Sequence, residues 1–210
     1  ISKRKQRWIA ELDQAKESPR QVVGAYYNKF LFADSPYGNP VGGIKKTIEM
    51  ISFEQINNFY QINYRPENCA IAVVGDFNSE KMKSDLNKYF LSWRAVGQKL
   101  ITDIGFEDKK FTEARVCLIN KDNATETTFM IGGFGVPMSN QEQIQIDVIN
   151  TILGGRFTSW LNDELRVNAG YTYGARSSFA SYKTAGVFYI STFTATKNTE
   201  LAIDLAVKTY

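Results

Sequence analysis

Helical and strand-like segments follow one another in this chain without strict βαβ alternation, an order that argues for α+β over α/β as the fold class. Two runs rich in Tyr, Phe, Thr and Val, at 171–181 and 187–195, read as strands. Helical spacing is present at 3–17 through Trp8, Leu12 and Ala15, and again from Pro19 through Val22, Val23, Tyr26, Phe30 and Leu31. Residues 34–43 contain two prolines and three glycines and read as a loop. Helices are predicted at 44–50, at 53–63 behind a Ser52/Gln55 capping box, and at 79–90. Between the last two lie a turn at Arg65-Pro-Glu-Asn68 and a run, Cys69-Ala-Ile-Ala-Val-Val74, that reads as a buried strand. Periodicity weakens from Arg94 to Glu113, which suggests a linker, placed at 99–113, between two units. The second unit is predicted to hold strands at 115–119 and 126–134, helices at 141–153 and near 157–167, the two aromatic strands, and a helix at 198–209.

Composition limits the chemistry more sharply than the fold. The chain of 210 residues contains no histidine. It therefore offers no His general base, no Ser-His-Asp triad and no imidazole ligand for zinc. Any imidazole that a reaction needs comes from elsewhere. With 43% hydrophobic residues the chain can build a core, and its two cysteines staple nothing. Cys69 and Cys117 lie on separate predicted strands and are read as buried free thiols. A net charge of +3, with cations scattered among acids, argues against a dedicated nucleic-acid surface. No apolar run reaches the ~18 residues of a membrane span, and no targeting segment is recognisable, so the compartment is left open. Gly132-Gly-Phe-Gly135 lacks the Lys-Ser/Thr of a phosphate loop and lies in a predicted strand. The ends, Ile1 and a helix-like run up to Tyr210, read as cuts in a longer protein.

Specific motifs appear at Leu153-Gly-Gly-Arg-Phe-Thr-Ser-Trp-Leu-Asn162, at Leu165-Arg166 and at Gly170-Tyr-Thr-Tyr-Gly-Ala-Arg-Ser-Ser-Phe179. Further motifs are Ser35-Pro-Tyr-Gly-Asn-Pro-Val-Gly-Gly43, Phe59-Tyr60, Tyr64-Arg-Pro-Glu-Asn68 and Ala72-Val-Val-Gly-Asp76. In order and spacing these resemble the M16 (pitrilysin/insulinase-like) zinc metallopeptidase family, and in particular its non-catalytic halves. The resemblance implies two consecutive units of the family's α+β fold. Residues 1–98 would be the C-terminal part of the first, and 114–210 the second, truncated at its end. The family's His-x-x-Glu-His helix, with two zinc ligands, would lie upstream of this chain. Its companion Glu matches Glu11, which helical geometry puts at the edge of the Trp8/Leu12/Ala15 stripe; an ordinary solvated glutamate is the competing reading. Ser35 stands where the family usually has His, and Trp160 where Arg is common. Val167-Asn168-Ala169 also departs from the usual charged residues.

Active members of the family use an Arg and a Tyr seven residues later, supplied by the half that faces the zinc, to bind substrate and stabilise the reacting carbonyl. By resemblance those residues are Arg166 and Tyr173. The competing reading is an arginine that neutralises helix-end carbonyls and a packed strand tyrosine. The resemblance thus implies part of the non-catalytic half of a zinc endopeptidase. Its partners would be a catalytic half or subunit and unfolded peptide, with zinc in the intact enzyme and none in this chain alone. Two alternatives are the back portion of the catalytic half, with Glu11 as third zinc ligand, and a non-enzymatic structural or peptide-binding relative. Exposed strand edge at 69–74 would also favour self-association.

Overall fold

Three antiparallel strands organise the larger part of the molecule. The structure, a computed structural model, describes residues 1–94, 97, 106 and 111–210. Two compact bodies are present: Ile1–Lys5 with Lys45–Asp103, and Gln6–Ile44 with Ile104–Tyr210. The expected linker 99–113 lies largely outside the described residues.

Helices α1 (Ser2–Ala15) and α2 (Pro19–Phe32) open the chain. The smaller body contains α3 (Lys45–Met50), α4 (Phe53–Asn63) and α5 (Ser79–Phe90). The capping box is formed as predicted: Ser52 Oγ accepts the Gln55 N–H at 3.1 Å, and Gln55 Oε1 accepts the Ser52 N–H at 2.8 Å. Asn78 caps α5 by accepting the Lys81 N–H at 2.9 Å. Residues 69–74 are a correction to the expected buried strand. They form no ladder, and Val74 is fully open to solvent. An apolar, β-branched run becomes a strand only when another backbone pairs with it, and none does so among the described residues. Cys69 lies in this stretch and is exposed.

The larger body carries β1 (Glu126–Phe134), β2 (Arg176–Ser181) and β3 (Gly186–Ala195), with β3 between the other two. This all-antiparallel sheet with helices against it is the α+β class read from the sequence. The strand expected at 115–119 does not form, for the same lack of a partner, and Cys117 within it is exposed. Both thiols therefore depart from the buried reading. Helix α6 (Gln143–Asn150) passes into a wider π turn at Thr151–Gly155, and α7 (Trp160–Asn162) does the same at Asp163–Asn168. Helix α8 (Thr199–Thr209) closes the chain. Among the described residues no helix is long and apolar enough to cross a membrane.

Period-two alternation divides the sheet into two faces. Phe129, Phe188 and Ile190 pack on one face against Leu153, Leu161 and Leu165, with Ala202 and Ala206 letting α8 approach closely. On the other face, α2 sends Leu31 and Phe32 to Val187, and Tyr37 of the Pro-Tyr-Gly turn stacks on Tyr182 at 4.9 Å. Ser35 accepts the Tyr37 N–H and caps that turn. Tyr27 reaches across β1 and donates to the Phe188 carbonyl at 2.9 Å. It can do so because Gly132 has no Cβ, which would come within 2.7 Å of the phenol oxygen.

Burial, and to a smaller extent neighbouring Tyr189, pushes the Tyr27 phenol above its usual range. Above about pH 10 an unfolded tyrosine ionises while the native Tyr27 keeps its proton. The unfolded state then binds fewer protons, so stability falls as pH rises; the contribution is whole below the unfolded value. Urea midpoints taken at about pH 9 and about pH 11 should drop more in the unmodified protein than in Tyr27→Phe, with equal drops as the refuting result.

Candidate functional site: a cleft beside Tyr173

The segment leading into β2 is held by side chains and not by a ladder. The strand was expected from residue 171, but it begins at Arg176. Gly170, with φ of +64°, turns the chain out of the π turn. Buried Asn162 then accepts the Ala175 N–H at 3.0 Å through Oδ1 and donates to the Arg156 carbonyl at 3.1 Å. Thr194 donates to the Tyr171 carbonyl at 2.7 Å, and Thr192 to the Gly174 carbonyl at 2.9 Å. These buried polar groups are satisfied by the loop that they fix.

The consequence falls on Tyr173. With its neighbours tied inward, its own side chain is 83% exposed. The ring stacks on Phe193, 6.3 Å between centroids, and the hydroxyl has no partner among the described residues. Tyr173 is thus no packed strand tyrosine. It stands at a cleft of about 740 Å³, inside the range of roughly 300–1,000 Å³ usual for ligand sites. The floor is the sheet face around Ser178 and Ser191; Arg20 of α2 and Gly154–Gly155 contribute the walls. Gly154 packs so tightly on β2 that a Cβ there would meet the Ser177 amide nitrogen at 2.3 Å. The side chain of Ser177 is occupied, donating to Asn150 Oδ1 at 2.7 Å.

Arg166 has different surroundings. Its guanidinium lies 4.3 Å from the centre of the Phe157 ring, a cation–π contact, and it is not among the residues that line the cleft. Glu11 sits on α1 and pairs with Arg7 one turn away at 2.8 Å, with its side chain 50% exposed. Such a surface pair contributes at most about 1 kcal/mol. Among the described residues no three His, Cys, Asp or Glu side chains gather as a metal site. The described residues therefore supply no set of ligands that fits zinc.

Asn162, Thr192 and Thr194 were not singled out in the sequence. The available signal was the alternation in β3, which points Thr192 and Thr194 to the same side as buried Ile190, where a hydroxyl requires a partner.

Comparison with known proteins adds the family. The peptidase M16 inactive domain matches residues 50–210. A protein of Rickettsia bellii named an uncharacterized zinc protease is 29% identical over 96% of this chain and 47% of its own length. Zinc protease PqqE of Helicobacter pylori is 26% identical over 76% of this chain and 37% of its own. The chain thus spans about half the length of the curated relatives it matches, or less. Among solved structures, the peptidase M16 inactive domain from Pseudomonas fluorescens superposes with a TM-score of 0.85 at 22% identity, covering 99% of this chain and 50% of that one. A protease from Helicobacter pylori gives 0.84 at 22% identity, over 96% of this chain and 50% of the other. With the family matched over most of its length and the same fold recurring in these structures, the chain belongs to the M16 peptidase family and carries its inactive domain.

Proposed function

We propose that this chain is part of the non-catalytic half of a zinc metalloendopeptidase. It encloses an unfolded peptide and turns Arg166 and Tyr173 toward a zinc site carried by another half. In terms of the family's repeat, residues 1–98 are then the end of one unit, 99–113 the connection and 114–210 most of the next. The observation that carries the reading is the exposed Tyr173 hydroxyl, unpartnered among the described residues and held at the cleft by a hydrogen-bonded loop. A phenol and a guanidinium both donate to a peptide carbonyl oxygen as negative charge grows on it. The relatives named zinc proteases support a metal in the intact enzyme. The apolar surface left open at 69–74 suits burial against further chain.

The purified chain should hold far less than one zinc after dialysis and should cleave no fluorogenic peptide. Joined to a catalytic M16 half, it should support zinc-dependent cleavage that the half alone lacks. Tight one-to-one zinc with hydrolysis by the chain alone would overturn the reading.

A further inference from the structure

We propose that the cleft beside Tyr173 contains a carboxylate-binding subsite built on Arg176. It would take an acidic group of the bound peptide, either the C-terminal carboxylate or an Asp or Glu side chain. The inference rests on reading the cleft as a peptide site.

The strand register produces the arrangement. Arg176 lies directly across from Ser191, and Ser178 across from Tyr189, so these side chains project from the sheet face that floors the cleft. Among the described residues the cleft lining includes Arg20 and Arg176 and no Asp or Glu. The two cations are not equivalent. Arg20 is engaged, 2.9 Å from Glu126 and 3.3 Å above the Phe193 ring. Arg176 is exposed, and its side chain makes no ion pair or hydrogen bond among the described residues. An unpaired cation in a hydroxyl-lined concavity attracts an anion, and its planar fork holds both oxygens of a carboxylate at once. Small Ser178 and Ser191 leave room above the sheet and can donate to the same oxygens. Tyr173 lines the same cleft, so the subsite would select where along a peptide the reacting bond is placed.

The test is binding to the protein assembled with its zinc-bearing half, with the metal removed by chelation so that no peptide is cut. Fluorescence anisotropy compares one neutral peptide sequence in four forms: free-acid end, amidated end, internal Glu, and internal Gln. At low salt one acid form should bind about 5- to 10-fold tighter than its amide counterpart, and the advantage should shrink as salt is added. Which acid gains identifies the source of the carboxylate. Arg176→Gln should abolish the acid-over-amide preference at an unchanged melting temperature, and Arg176→Lys should keep part of it. Equal affinity for acids and amides, or a preference that survives in Arg176→Gln, overturns the subsite. A protein that binds none of the four overturns both the subsite and the peptide reading. One that prefers acids yet cleaves nothing when zinc is restored overturns the peptidase reading alone.

Discussion

Leu161→Ala should lower the unfolding free energy by about 2–5 kcal/mol, a large share of the roughly 5–15 kcal/mol that holds a typical protein folded. Leu161 is wholly inaccessible and packs in the cluster formed by Leu153, Leu165, Ala175 and Ile190. Truncation removes three buried carbons and leaves a cavity that the sheet on one side cannot close. The neighbourhood is also poor in adaptable backbone. Leu161 lies in the three-residue α7, next to Asn162, whose amide fixes the 171–175 loop. Ile144→Ala provides the comparison, since Ile144 is 78% exposed. That substitution should stay within about 0.5 kcal/mol. Urea midpoints at unchanged m-value measure both. A loss below 1 kcal/mol at Leu161 would mean that this cluster is not the core of the body.

The second large effect concerns catalysis in the assembled peptidase. Tyr173→Phe removes one hydroxyl and little volume, and that hydroxyl supports nothing among the described residues. Folding should therefore be untouched, whereas a lost donor to the reacting carbonyl typically costs about 10²–10³ in kcat. Phe193 would still stack on the substituted ring, which keeps its position. Arg166→Ala should weaken peptide binding as well, and because its guanidinium also covers the Phe157 ring, a modest drop in melting temperature accompanies it. Single-turnover rates and thermal melts on both variants decide the assignment. Full activity in Tyr173→Phe would take this residue out of the mechanism.

Elements with local signals were legible in the sequence. The capping box at Ser52 and Gln55 marks α4 without reference to anything distant. The Val, Phe, Tyr and Thr alternation of 187–195 marks β3, and the helical run behind Asn198 marks α8. Elements that need a remote partner were not. Residues 69–74 and 115–119 have strand composition but no paired backbone, so they stay irregular and their cysteines are exposed. Residues 6–44 lie early in the chain, yet they belong with the body that carries the sheet, because α2 buries Leu31 and Phe32 on it.

The sequence by itself determined the mixed helix-and-strand class, the motifs of the M16 family, and the absence of any imidazole in this chain. These depend only on residue identity and spacing. Only the tertiary structure decided that Tyr173 faces outward at a cleft, that Arg166 rests on Phe157, and that Arg176 meets Ser191 across the sheet. Each follows from groups 9 to 23 positions apart, Phe157 with Arg166, Ala175 with Asn162, Arg176 with Ser191, and Tyr171 with Thr194, brought together by packing and by hydrogen bonds that no local pattern encodes.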